Sequence, residues 1–237
     1  FARSIMSSFA VRALCLFPLL IGSLGASAVP EGRVEIPVQS GGNFSVPVFS
    51  MKEQRFQKTV HQQYDFSCGS AALATLLTHH YNFPVSEQEV FREMFARGDQ
   101  AKIKKEGFSL LDIKNYLATR GFEADGYVAE LDKLSVAGVP AIVLVKEQGY
   151  YHFVVVKGLR NGRVLIGDPS SGTRAIPKSK FTEIWANKIL FVIKNKLEIA
   201  TFNTERDWQA APGSPIAAGH HRSVSDYGLA KRGPADF

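Results

Sequence analysis

The apolar residues of this 237-residue chain change their period once. Between Gln62 and Gly121 they recur three and four apart in stretches bounded by cap residues, which is the spacing of helices with one apolar face. After Gly121 they alternate or run on, in FEADGYVAE, PAIVLVKE, HFVVVKGL, RVLIGD and ILFVIK, which is the pattern of strands. Helices first and strands second predict an α+β fold, a helical layer packed on a mostly antiparallel sheet.

Local signals place the elements within that plan. Ser86-Glu87-Gln88-Glu89 is a capping box that opens a helix with Val90, Phe91, Met94 and Phe95 on one face. Ser109 with Asp112 opens another, striped by Leu110, Leu111, Ile113, Tyr116 and Leu117 and ended by Gly121. A short helix is expected from Lys180 to Ala186, with Phe181, Ile184 and Trp185 inward. Asp99 to Gly107 is charged and without period, and predicts a mobile surface loop. One domain is therefore expected over residues 59–197. Ahead of it, residues 29–58 read as an arm with short edge strands around Pro37 and Pro47. Behind it, residues 198–237 turn to Ala, Pro, Gly, Ser and His and predict a disordered tail.

Cys68 stands where the first of these helices begins. Asp65 and Ser67 ahead of it are good N-cap types, and Ala71, Ala72, Leu73, Ala74, Leu76 and Leu77 behind it are strong helix formers. At such a position the unpaired N–H groups and the helix dipole favour a thiolate, and the expectation is a solvent-reachable thiol of low pKa. Gly69 is expected to leave the approach to the sulfur open. The competing reading is a small buried hydrophobe.

The N-terminal residues bear on that choice. Arg3 and Arg12 without any acid, an apolar run from Ala13 to Leu24, and Ala26-Ser27-Ala28 read as a secretory signal over residues 1–28, cut before Val29. Cleavage removes both arginines, so the formal charge of +6 becomes +4, and it removes Cys15. Cys68 is then a lone cysteine in an oxidising compartment, where an idle thiol is a liability. The mild basic excess shows no dense Lys/Arg cluster with interleaved aromatics, so nucleic-acid binding is not supported. The apolar run is interrupted by Pro18 and no stop-transfer pattern follows, so no stable membrane anchor is expected.

A cysteine nucleophile needs a base. Of six histidines, His61, His79 and His80 lie in the cysteine segment and His220 and His221 in the tail, with no Cys, Asp or Glu at ligand spacing to suggest a metal. His152 differs, because it opens the most apolar strand of the chain, where a polar ring needs a partner. Asp168, closing RVLIGD, can be that partner, a turn-former for Asp-Pro-Ser-Ser-Gly, or both. Hairpin arithmetic separates two registers. A two-residue turn at Asn161-Gly162 pairs Asp168 with Val155 and turns it away from His152. A three-residue turn over Arg160 to Gly162, with the glycine left-handed and bulged, pairs it with Val154 on the face of His152. The second register is the one expected.

The blocks Gln62-x-x-x-x-x-Cys68-Gly69-x-Ala71-Ala72, Tyr151-His152-Phe153-Val154-Val155 and Asp168-Pro169-x-x-Gly172 together resemble the bacteriocin-processing peptidases, papain-like cysteine peptidases that cut leader peptides after a double glycine. The resemblance covers about Thr59 to Lys194. It implies a papain-like fold with Cys68 as nucleophile, His152 as base, Asp168 as its orienter and Gln62 as oxyanion-hole donor. Gln63 adjoins Gln62, and the choice between them rests on the six-residue spacing. No cofactor is implied. With a signal segment and no transmembrane or ATPase segment expected, the stretches QYDFSCGSAALATLL and SLLDIKNYLATRGFEADGY resemble the free-standing peptidase-like components of Pseudomonas functional-amyloid export systems. That likeness implies a periplasmic protein with a protein or peptide substrate and, as partners, components of an outer-membrane amyloid export system. The rival reading is a peptide-binding module or secretion chaperone on the same fold, without turnover.

Overall fold

The computed structural model describes residues 32–37, 43–48 and 50–211. The signal segment, Cys15, His220, His221 and the tail beyond residue 211 lie outside the described residues. The chain divides into two compact units at residues 48 and 49. In the first, β1 (Gly32–Pro37) and β2 (Asn43–Val48) pair antiparallel, with Gly32 opposite Val48 and Pro37 opposite Asn43.

The second unit opens with five helices: α1 (Met51–Phe56), α2 (Cys68–His80), α3 (Glu87–Arg97), α4 (Gln100–Glu106) and α5 (Leu110–Thr119). There follow β3 (Ala124–Val128), α6 (Asp132–Ala137), β4 (Ala141–Glu147), β5 (Tyr150–Arg160), β6 (Arg163–Asp168), β7 (Gly172–Pro177), α7 (Lys178–Ile184), β8 (Ile189–Ile193) and α8 (Glu205–Ala210). Six strands form one sheet in the order β3-β8-β4-β5-β6-β7, every pair antiparallel, as the change of period predicts.

Strand alternation sends the apolar runs to both faces, so each face needs a cover. On one face Ile142, Phe153, Val155 and Phe191 pack with Leu73, Leu76 and Leu77 of α2 and with Ile113 and Leu117 of α5. On the other, Val143, Val145, Val154, Val156 and Ile166 pack with Leu134 of α6 and with Phe181 and Trp185. The helix starts follow their caps. The Ser109 hydroxyl accepts the N–H of Asp112, whose carboxylate accepts the N–H of Ser109 in return. Ser86 accepts the N–H of Glu89.

Three expectations are corrected. Residues 99–107 are not a loop: Asp99 accepts the N–H groups of Ala101 and Lys102, and the buried Ile103 anchors α4. Residues 51–56, read as part of the arm, form α1, opened by a reciprocal Ser50–Glu53 box. The tail expected from residue 198 is ordered as far as 211, because Asp207 and Ala210 of α8 are buried. The edge strand β7 was not expected at all.

The hairpin register is reached by another route than the one expected. The β5–β6 turn has two residues, Asn161 (φ 50°) and Gly162 (φ 67°), with Arg160 opposite Arg163. The extra residue lies inside β5: Gly158 faces Leu165, but Val156 faces Ile166 and Val155 faces Gly167, so Lys157 is a bulge. One step further along, Asp168 comes beside Val154, on the face of His152.

Candidate active site

Cys68 is the first residue of α2 and is buried, 7% exposed. The hydroxyl of Ser67 does not cap this helix; it donates to the carbonyl of Tyr64 and accepts that residue's N–H, closing the turn before the cysteine. The first amides of α2 are therefore not claimed by the cap residue. Gly69 serves a purpose other than access, since a Cβ there would lie 2.9 Å from Cβ of Phe108. The thiol expectation is also corrected. Burial pushes the Cys68 thiol up, and the backbone N–H of Phe153 and of Gly69, which favour the thiolate, do not offset it.

His152, 8% exposed, has Nε2 3.3 Å from Oδ2 of Asp168. By alternation its ring belongs to the face of Val154 and Val156, whereas Cys68 packs with Phe153 on the other. No hydrogen bond joins Cys68 to His152; the sulfur meets the strand at the amide of Phe153, the next residue.

The two oxygens of Asp168 make two separate sets of contacts. Oδ1 accepts the N–H of Ser170 at 2.9 Å and its hydroxyl at 2.7 Å, which closes the Asp-Pro-Ser-Ser turn. Oδ2 faces His152 and also accepts from Arg174 at 3.1 Å. Burial works against the charge on Asp168. The hydrogen bonds to His152 and Ser170 outweigh it and hold the carboxyl well below the usual carboxylate range.

Gln62 is half-buried; its side chain donates to the carbonyl of Tyr64 at 3.1 Å, and its N–H donates to the carbonyl of Pro169 at 3.0 Å. Gln63 is exposed and accepts from Gln88 on the surface. A cavity of about 660 Å³ is lined by Gln62, Glu147, His152, Asp168, Ser170 and Arg174 among others, while Cys68 does not line it. An acyl-transfer site needs a nucleophile, a proton carrier held in orientation and donors for an oxyanion, and the residue types at the helix start, in the paired ring and in the amide of Gln62 are of those kinds.

Two neighbours of the pair were not read from the sequence. Glu147 Oε2 lies 3.8 Å from His152 Nε2, and Arg174 donates to both Glu147 oxygens and to Asp168. Hairpin arithmetic had the signal. A two-residue turn at Gln148-Gly149 sets Val145 opposite His152, which puts Glu147 diagonally on the same face. A three-residue turn at Pro169 to Ser171 sets Asp168 opposite Gly172, and Arg174 then stands diagonal to Asp168. The ligand atoms of Glu147, His152 and Asp168 lie within 4.8 Å of one another, close enough to hold a divalent cation. The guanidinium of Arg174 is bonded to oxygens of both carboxylates and supplies the positive charge. His79 and His80 have no such acidic pair: His80 Nδ1 meets the carbonyl of Thr201 at 2.7 Å.

Residues 57–197 match the model of the Peptidase C39 family, and the chain belongs to that family: it is a cysteine peptidase. Among its relatives is the probable functional amyloid protease FapD of Pseudomonas aeruginosa PAO1, 39% identical over 77% of this chain and 80% of that one. The protein of the same name in Pseudomonas fluorescens is 39% identical over 76% of this chain and 77% of its own. A solved double-glycine-motif protease of an AMS/PCAT transporter, in complex with its leader peptide, is 28% identical over 57% of this chain and 89% of its own, with a TM-score of 0.48. Among the described residues no helix is long and apolar enough to cross a membrane.

Proposed function

We propose that residues 1–28 export the chain to the periplasm, and that residues 59–197 act there as an endopeptidase on a secreted protein of a functional-amyloid pathway. The likeness to the two Pseudomonas relatives, both probable functional amyloid proteases, supports the pathway. The observation that carries the chemistry is the His152–Asp168 pair, held across β5 and β6.

In this reading the sulfur of Cys68 attacks the scissile carbonyl, and His152 takes the thiol proton and returns it to the leaving amine. Asp168 keeps the ring oriented. The carbonyl oxygen, as it gains charge, is met by the side-chain amide of Gln62 and the backbone N–H of Cys68. Water then hydrolyses the thioester. The structure does not join nucleophile and base, so this reading requires the Cys68 sulfur and the His152 ring to meet past the end of β5 when substrate binds.

A second reading, a peptide-binding module without turnover, has one observation in its favour: the thiol is buried and is not bonded to the imidazole. Mass spectrometry of the secreted proteins separates the two. The expected result is new N-termini in cells carrying the wild-type chain and none with Cys68→Ala. Identical fragments in both overturn the peptidase mechanism built on Cys68.

A further inference from the structure

The segment after residue 197 lies beyond the part of the chain that matches the family, yet it is tied to the strand that carries His152. The tie falls on the bulge. The carbonyl of Lys157 accepts the N–H of Asn203 at 2.7 Å. Its ammonium, wholly buried, lies 3.1 Å from Asp207 Oδ1 and donates to the carbonyl of Lys58. Asn203 is itself held, its side-chain oxygen accepting from the indole of Trp208 at 2.8 Å. At the next residue a side chain would be in the way: a Cβ on Gly158 would lie 2.7 Å from Asn203 Oδ1 and 3.1 Å from its Cα.

The same lysine reaches the partner strand. A Cβ on Gly167 would lie 3.0 Å from Cδ of Lys157 and 2.9 Å from the hydroxyl of Thr59, so the lysine stem passes directly over the residue before Asp168. Without a bulge, the two-residue turn at Asn161-Gly162 would pair Val155 with Asp168 and point the carboxylate away from His152. The position of Asp168 therefore depends on Lys157 remaining outside the ladder.

We propose that Asn203 to Trp208 form a positioning clasp for Asp168: they hold Lys157 in its bulge, and the bulge holds the register in which Asp168 meets His152. The proposal rests on the reading of His152 and Asp168 as the working pair. The clasp touches neither the reacting atoms nor the cavity beside His152, so it acts on turnover and not on binding.

The test measures kcat and KM per folded protein for Asp207→Asn, on a quenched fluorescent peptide that the wild-type chain cuts, in wild-type and Asp168→Ala backgrounds. In the wild-type background Asp207→Asn is expected to lower kcat about 10²-fold, the cost of a misplacement of about 1 Å, with KM unchanged. In the Asp168→Ala background it is expected to cost nothing further. Equal losses in both backgrounds, or full kcat in folded Asp207→Asn, overturn the clasp. A wild-type rate in Asp168→Ala itself overturns the working pair, and the clasp with it.

A second variant keeps the test sharp if Asp207→Asn folds poorly. Deleting Lys157 together with Asp207→Ala removes the extra residue and leaves Val156 opposite Ile166 in a regular ladder. That chain is expected to work within a few-fold of wild type although its clasp is gone. A rate as low as that of Asp168→Ala refutes the register argument.

Discussion

Replacing Arg174 with methionine removes the guanidinium that donates to both Glu147 and Asp168 and leaves two carboxylates facing one another across His152. Their oxygens lie within 4.8 Å. At that separation two unit charges repel by about 3.5 kcal/mol at an effective dielectric of about 20, equivalent to roughly 2.5 pH units. Neither group is well placed to escape into water, since the Asp168 side chain is 2% exposed and that of Glu147 30%. In the wild-type chain the Asp168 carboxyl is held down, so its charge is kept as the pH falls through the ordinary carboxylate range. In Arg174→Met one carboxyl of the pair is expected to take up its proton at a higher pH than in the wild-type chain. The acid limb of kcat/KM should then move upward by about 1 to 2.5 pH units. The assay is kcat/KM against pH on a cleavable fluorescent peptide, with thermal unfolding at the same pH values to correct for folded fraction. An acid limb within 0.5 units of wild type, on the order of the error of such profiles, would show that Arg174 does not govern the charge on the pair.

The same variant opens a cation position, so micromolar zinc is expected to inhibit Arg174→Met while leaving the wild-type chain unaffected; equal inhibition of both would rule out exchange of guanidinium for metal. Gly69→Ala should destabilise by about 1 to 3 kcal/mol, because its Cβ would press on that of Phe108, and an unchanged urea midpoint would contradict that packing. His80 is wholly buried, and burial lowers its pKa to about 4. The unfolded chain therefore takes up this proton below about 6.5 and the folded chain does not, which removes roughly 3 kcal/mol of stability between pH 6.5 and pH 4. Urea titrations at pH 7 and pH 5 check this, and His80→Leu should flatten the dependence. Gln62→Ala is expected to lower kcat about 10² to 10³-fold and Gln63→Ala much less; the reverse order would move the oxyanion donor to the exposed glutamine.

Much of this was legible because it is local. The cap at Ser109 and the apolar runs of β4, β5, β6 and β8 each carry their own signal within a few residues. What escaped has its cause elsewhere in the chain. α4 shows one large apolar residue, Ile103, among lysines, so it has no stripe to read. β7, in GTRAIP, is an edge strand whose burial fades along its length. The face of Asp168 was found through the wrong turn. The tight turn at Asn161-Gly162 is a strong sequence signal, while the bulge that compensates for it is held by Asn203 and Asp207, which no window around β5 contains. The thiol of Cys68 failed similarly: its helix start is written in sequence, but Phe108 and Phe153, which close over Gly69 beside it, come from α5's approach and from β5.

The strand order has a kinetic consequence. β8 lies between β3 and β4, which follow one another along the chain but do not pair. β3 waits for Ile189–Ile193 before it has any ladder at all, and every apolar residue it shares with that strand stays unpaired until the loop between them has closed. Closing long loops before their contacts reward them slows folding to the millisecond-to-second range, roughly, and leaves a strand edge open meanwhile. The vulnerable interval for this chain is therefore set by its last strand, and a chain cut short before Ile189 would present the unpaired edges of β3 and β4 to whatever strand is nearby.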